Sequence, residues 1–376
     1  MNTRQAFEFH GEAAEYFRVW IVNLFLSIVT LGIYSAWAKV RNKQYFYGNT
    51  RVAASAFEYT ADPLTILKGR ILVVAVLSLF SLLAEYYPLL DAFYLPLILL
   101  ILPWLVLRGL MFNARYSSYR NLHFSFTGKL LNTYAVVLIL GMLTPLLIVF
   151  SAYFLWMGSR SYASDMSNMS GLVLGVTLLL FIWWVVASYY LRQYYVNNSR
   201  YGRLSFVMLA SLKQFFIIFG IAAVSFSVAL LLFLMTAINT AATSFQMGPG
   251  MTYSISIIFI MLLYLRAYLK VHVFNQVWNM TRLTDVQDQP PTQLLSFSAE
   301  LKVNALFFIY LTNIMASAVS LGLLIPWARV RLARYQIERM TLLSHGDLDR
   351  IIADEKNKVD SFAGEMGDLL DIDIGL

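Results

Sequence analysis

Apolar residues in this chain come in long runs rather than in stripes. Leu130–Gly158 passes 29 residues, and Phe215–Leu265 passes 51, without one Asp, Glu, Lys or Arg. About 20 apolar residues cover the hydrocarbon core of a bilayer, so the first run crosses once and the second twice. The pattern predicts six crossings in three helical pairs: Ile71–Leu90 with Ala92–Leu107, Leu130–Met157 with Gly171–Leu191, and Phe215–Ile238 with about Thr252–Leu265. Polar or helix-breaking segments separate the partners: Glu85 to Asp91, the loop Gly158–Ser170, and Asn239–Met251 with its Gly248-Pro249-Gly250.

Two shorter signals punctuate the runs. An alternating aromatic or apolar triplet precedes each hydrophobic segment: Phe7-Glu8-Phe9, Phe57-Glu58-Tyr59, Phe124-Ser125-Phe126, Leu204-Ser205-Phe206 and Leu295-Ser296-Phe297. An Asn-x-Arg closes the helices: Asn49-Thr50-Arg51, Asn113-Ala114-Arg115 and Asn198-Ser199-Arg200, with Asn279-Met280-Thr281-Arg282 one residue longer. The chain thus divides into five repeats at about 7–51, 57–115, 124–200, 204–282 and 295–340. The two end repeats are copies. Phe17–Tyr45 lies on Phe307–Tyr335 without a gap, sharing among others Asn23/Asn313, Leu31/Leu321, Gly32/Gly322, Trp37/Trp327, Arg41/Arg331 and Tyr45/Tyr335.

Each end copy has room for one crossing, but two crossings would put Arg329, Arg331, Arg334 and Arg339 on the outer side, against the bias of the other loops. The expectation is a short hairpin that dips in and returns, turning at Gly32 and Gly322, where glycine tolerates positive φ. Such a turn should sit inside the bundle, because backbone freed at that depth needs cover. A single tilted span in each copy is the alternative. The expected fold class is therefore an all-α polytopic membrane protein: helical-hairpin repeats, six full spans, and two short Gly-interrupted hairpins at the ends.

Composition sharpens this. Hydrophobic residues make up 59% and charged ones 13%, about half the charge of a soluble domain. The net charge of +7 hides a division: from Asp347 onward nine acidic and three basic residues give −6, leaving +13 on the rest. The predicted outer loops hold few cations, whereas Lys68, Arg108, Arg192, Lys213, Arg266 and Lys270 flank the other ends, placing that side and both termini in the cytoplasm. Residues 1–344 read as a membrane domain and 345–376 as an acidic cytoplasmic tail, either solvated or docked on the protein's own basic loops. The first sixteen residues, with Arg4, Glu8, Glu12 and Glu15, read as a charged lead rather than a cleavable signal. The chain has no cysteine, hence no disulfide framework or thiolate site.

The stretch Leu31-Gly32-Ile33-Tyr34-Ser35-Ala36-Trp37-Ala38-Lys39-Val40-Arg41, with Tyr45-Phe46-Tyr47-Gly48-Asn49-Thr50-Arg51 and the terminal Asp371-Ile372-Asp373-Ile374-Gly375-Leu376, resembles the YjgN family (DUF898) of bacterial inner-membrane proteins. The resemblance covers nearly the whole chain. It departs at Ala36, where that family often has proline; the second copy keeps Pro326. It implies a multi-span inner-membrane protein and lends no substrate and no catalytic residue.

Candidate chemistry is sparse. Asn23 and Asn313 are a polar pair in apolar helices, either lining a site between the end repeats or pinning helices together. Trp37 and Trp327, each near a basic residue, suit the headgroup level. Arg51, Arg115 and Arg200 either oppose helix dipoles or contact anionic lipid headgroups. Gly171-x-x-x-Gly175 reads as a close-packing face. The middles of the spans hold no acidic or basic residue, unlike a proton relay. His10, His123, His272 and His345 lack metal spacing, and Thr127-Gly128-Lys129 lacks the upstream glycine of a P-loop. The chain is not read as an enzyme or as a nucleic-acid binder, and no metal or cofactor is expected. The preferred function is passive or weakly coupled movement of a small solute or lipid through the bundle; the alternative is a non-transporting scaffold that binds lipid headgroups or another membrane protein.

Overall fold

The computed structural model describes residues 3–159, 166–243, 249–285 and 292–357. Ser161 and the centre of its loop, Gly248, and residues 358–376 of the acidic tail lie outside the described residues. Six helical stretches are long and apolar enough to cross a membrane: Pro63–Tyr86, Asp91–Arg115, Leu130–Phe154, Gly171–Asn197, Leu212–Met235 and Ile255–Asn279. They face outward. In the most apolar stretch of the first and third none of the residues is buried, and in the sixth only 22% are.

The all-α expectation is overturned. Ten antiparallel strands close a barrel in the order β1-β10-β9-β8-β7-β6-β5-β4-β3-β2. They are β1 (Thr3–Phe9), β2 (Thr50–Val52), β3 (Ser55–Tyr59), β4 (Ser117–Tyr119), β5 (Leu122–Phe126), β6 (Ser199–Tyr201), β7 (Leu204–Met208), β8 (Thr281–Asp285), β9 (Thr292–Ala299) and β10 (Met340–Ser344). The aromatic triplets lie in β1, β3, β5, β7 and β9, and the residues after the helix-closing asparagines begin β2, β6 and β8. A three-residue strand shows too few alternations for a period of two to be read, and alone it would not hold. Closure changes that, since a barrel leaves no edge of unpaired N–H and C=O groups.

The helix-to-strand junction is chemically specific. Asn49 Nδ2 donates to the Tyr45 carbonyl at 2.9 Å and Asn198 Nδ2 to Tyr194 at 2.7 Å. The following hydroxyls do the same one residue on: Thr50 to Phe46, Ser199 to Tyr195 and Thr281 to Val277, all within 2.8 Å. Ser117 closes onto Asn113 in the same way. Side chains thus satisfy the last carbonyls that a helix leaves unpaired, and the chain turns directly into the barrel.

One compact unit comprises Met1–Glu58, Leu209–Leu283 and Thr292–Ile352. It holds both end repeats: α1 (Ala13–Val29) and α2 (Ser35–Gly48), and α10 (Val303–Val319) and α11 (Ile325–Ile337). It also holds α8 (Leu212–Thr243) and α9 (Pro249–Asn279). The N-terminal strand pairs with the last one, Thr3 opposite Ser344 and Ala6 opposite Thr341. Arg329 donates to the Tyr16 hydroxyl at 3.3 Å and Arg334 to the Gly11 carbonyl at 2.8 Å. The two copies use one tyrosine alike: Tyr45 donates to the Glu12 carbonyl, and Tyr335 accepts from the Lys302 N–H. Each hydroxyl ties the second helix to the residue before the first.

Both end repeats are hairpins, with the same turn. Gly32 N–H bonds the Ser27 carbonyl and Gly322 N–H the Ser317 carbonyl, each at 2.7 Å, while Leu31 and Leu321 reach back three residues to Ile28 and Ala318. This is the Schellman arrangement, closed by a left-handed residue. That residue is leucine, φ 49° and 50°, and the glycines follow at φ 90° and 92°. The expectation that the turns sit inside the bundle fails: Leu31 and Leu321 are 95% and 94% exposed, and nothing lies within 4 Å of a Cβ built at Gly32. The reason is local. Thr30 Oγ1 accepts from the Tyr34 N–H and Ser320 Oγ from the Leu324 N–H, so the turn backbone finds partners within itself. Ala36 and Pro326 are both buried at the start of the second helix, so the bend does not need proline.

The second compact unit comprises Tyr59–Met208, Thr284–Pro291 and Ala353–Leu376. It contains α3 (Pro63–Tyr86), α4 (Asp91–Arg115) and α7 (Met166–Asn197). Between the last two, α5 (Leu130–Thr133) runs through a π-helical stretch, Tyr134–Leu143, into α6 (Thr144–Ser159). In a π-helix the carbonyl of Leu140 would meet the N–H five residues on, but that residue is Pro145. Trp183 Nε1 on α7 donates to it instead, at 2.7 Å.

A leucine in the left-handed region costs roughly 1–2 kcal/mol, and glycine there costs about 0.5–1 kcal/mol of chain entropy. Leu31→Gly and Leu321→Gly should each raise the melting temperature in a thermal-shift assay; a fall would mean that the exposed leucines make contacts worth more than the strain.

Candidate functional site

Polar chemistry concentrates where helices meet strands. Arg51 is the middle residue of β2, Arg200 the middle residue of β6 and Arg115 the last of α4, and all three are exposed. Arg282 occupies the same place in β8 but turns back to cap, donating to the Asn279 carbonyl at 2.8 Å. On α2, Lys43 is half-buried and is lowered to about 8 by burial and then by Lys39, so it remains charged at neutral pH. Tyr45 beside it is pushed up to about 12, by burial first and the Glu15 charge next.

The two tryptophans are half-buried at the start of α2 and α11. Trp37 stacks on Tyr34, ring centres 5.9 Å apart, and Arg41 lies over the same tyrosine. In the second copy Arg331 lies over Trp327 itself, 5.1 Å from the ring centre.

Asn23 and Asn313 each bond within their own hairpin. Asn23 is buried and donates to Asn42 Oδ1 at 3.5 Å, while its own Oδ1 has no partner among the described residues. Asn313 donates to the Ala328 carbonyl at 3.1 Å and accepts from Arg331 at 3.4 Å. The structure therefore ties each asparagine to the second helix of its copy. Gly32 and Gly322 shape the tips as described above.

Two features escaped the sequence reading. The first is a polar face on α9. His272, Asn275, Gln276 and Asn279 follow helical spacing and, with Gln214, Ile217 and Ile218 of α8, line a cavity of about 260 Å³. Asn275 bonds both the N–H and the carbonyl of Leu301, and Asn279 both those of Ala299. The i, i+3, i+4, i+7 pattern was visible, but it falls at the end of an apolar run, where polar residues read as the edge of the membrane.

The second is a C-terminal helix, α12 (residues 348–357), with buried Leu348, Ile352 and Glu355. Glu355 accepts a hydrogen bond from the Arg203 N–H in the turn between β6 and β7. Gly202 beside it has φ +58°, and a Cβ there would stand 2.9 Å from the Glu355 carboxylate. Burial pushes the Tyr201 hydroxyl up, with the Glu355 charge adding to it. Part of the acidic tail is thus anchored on a basic turn. Among the described residues no three His, Asp or Glu side chains form a metal-binding group.

Residues 4–369 match the family model described as "Bacterial protein of unknown function (DUF898)". The chain belongs to the DUF898 family. It is 24% identical over 371 residues to the inner membrane protein YjgN of Salmonella typhimurium, covering 93% of this chain and 91% of that protein. It is 32% identical over 127 residues to YjgN of Escherichia coli K12, a match spanning 32% of this chain and 31% of that one. No solved structure matches. The chain is an integral membrane protein similar to bacterial inner-membrane proteins, as the quoted motifs led us to expect.

The two asparagines should respond differently to leucine. An interhelical hydrogen bond in a membrane protein is worth about 0.6–1.7 kcal/mol. Asn313→Leu should lower the melting temperature because it removes the 3.1 Å bond to the Ala328 carbonyl and one of the bonds made by Arg331, whereas Asn23→Leu removes a long bond and an unpaired oxygen and should leave it unchanged or raise it. Equal losses would show that Asn23 is as firmly bonded as its counterpart.

Proposed function

We propose that this protein is a non-transporting membrane scaffold that holds anionic lipid headgroups along its basic face, with both termini in the cytoplasm. The observation that carries the reading is the recurrence of an exposed arginine at the helix-to-strand junction of successive repeats, Arg51, Arg115 and Arg200. A cation at that level attracts anionic headgroups by about 1 kcal/mol. The outward-facing apolar helices offer acyl chains a surface below it. The alternative, movement of a solute or lipid along a path between the end repeats, is weakened because Asn23 and Asn313 bond inside their own hairpins.

An Arg51→Ala, Arg115→Ala, Arg200→Ala variant should retain fewer anionic phospholipids in native mass spectrometry, about fivefold less for each arginine lost at ~1 kcal/mol apiece. Undiminished retention would refute the scaffold. Sidedness can be read from single thiols, since the chain has no cysteine. A periplasm-confined maleimide should leave thiols at the exposed positions Gln44 and Asp347 unlabelled in intact cells, label them once the membrane is permeabilised, and not reach a thiol replacing the exposed Arg334 in intact cells. Labelling at Arg334 would mean that the last hairpin crosses fully.

A further inference from the structure

The cavity between the start of α8 and the end of α9 is neutral, yet its hydrogen-bonding groups are only partly engaged. Gln276 Nε2 donates to Gln214 Oε1 at 2.6 Å, and the same oxygen accepts from the Ser211 N–H at 3.1 Å. Asn275 and Asn279 are each engaged through both the amide nitrogen and the oxygen on the backbone at 299–301. Among the described residues, nothing takes up the amide N–H groups of Gln214, the carbonyl oxygen of Gln276 or the ring nitrogens of His272, whose ring rests against Tyr268. Ile217 and Ile218 form the apolar side.

That inventory selects a ligand class. No carboxylate lines the cavity, and one imidazole among neutral amides offers no charge to hold a metal ion. No lysine or arginine lines it either, so a bare phosphate or carboxylate would lack the cationic fork that such anions use. What the lining offers is donors and acceptors side by side, and a hydroxyl is the group that both gives and accepts. A volume of about 260 Å³ is below that of a drug-sized pocket, which starts near 300 Å³. The site also lies at the membrane boundary, since the candidate spans begin at Leu212 and end at Asn279.

We infer that this cavity binds a small polyol through adjacent hydroxyls, and that the polyol is the glycerol headgroup of a phospholipid. Gln276 Oε1 accepts from one hydroxyl, the Gln214 amide donates to it or its neighbour, His272 bonds the second, and the two isoleucines meet the apolar part of the lipid. The source of the ligand rests on the scaffold reading above; the hydroxyl chemistry does not.

The test uses the full chain, reconstituted in vesicles of equal phosphatidylglycerol, phosphatidic acid and phosphatidylethanolamine, extracted and examined by native mass spectrometry. The parent should retain phosphatidylglycerol about tenfold over phosphatidic acid, equivalent to about 1.4 kcal/mol. His272→Leu, at an exposed position, and Gln276→Leu should each bring that ratio towards one without changing the total lipid held. An unchanged ratio in His272→Leu, or no preference in the parent, overturns the inference. If excess free glycerol abolishes the preference while the lipids stay bound, the hydroxyl site stands and its ligand is a soluble polyol. The triple arginine variant separates the two claims: it should lower both anionic lipids alike, and if it lowers neither while the leucine variants lose the preference, the scaffold falls and the polyol site remains.

Discussion

Every peptide group that leaves a helix at the membrane boundary must find a hydrogen-bond partner, and this requirement shapes the chain more than any other. A helix satisfies its own interior but abandons its last carbonyls. Here asparagine and the hydroxyl residue after it collect those carbonyls at junction after junction. The next residues then pass into a closed strand ladder rather than into solvent. The same constraint acts in the middle of a span, where a tryptophan supplies the donor that Pro145 lacks. Where no neighbour is available, at the tips of the end hairpins, the turn closes on itself.

The duplicated end repeats show which part of a repeat is structural and which is free to change. The tyrosine that ties helix to lead, the left-handed leucine and the glycine after it act alike in both copies. The asparagine does not. In the second copy Arg331 completes its bonding, whereas in the first the equivalent Arg41 sits over Tyr34 and the asparagine turns to Asn42. A left-handed, exposed leucine retained in two turns is strain kept in place. Its apolar side chain is what a tip immersed in lipid would present.

Function, on this reading, belongs to the membrane boundary rather than to a path through the protein. The spans bury little, and within each unit polar groups lie where helices end: exposed arginines at the junctions of both, the partly engaged face of α9 in one, and the Glu355 carboxylate on the β6–β7 turn in the other. A solute pathway would instead collect polar groups at mid-depth between facing helices. Headgroup chemistry explains why cations, amides and aromatic rings recur where each helix ends.

The sequence by itself marked six stretches long and apolar enough to cross a membrane and the duplication of the end segments, because charge-free runs and an ungapped repeat are local or one-dimensional signals, while it left hairpin and single span both open at the ends. It also marked the strand residues without revealing their partnership: Phe7-Glu8-Phe9 and Thr50-Arg51-Val52 are each too short to declare a strand. Only the tertiary structure decided that they pair, Phe7 opposite Val52 and Phe9 opposite Thr50, since a strand's stability lies in bonds to residues distant along the chain. The same holds for the function-bearing groups. Which amides of α9 are engaged depends on the backbone at Ala299 and Leu301, and whether Glu355 is a solvated tail residue or a buried anchor depends on a turn some 150 positions away. Hydrogen-bond satisfaction is a property of neighbours in space, and no run of residue types contains it.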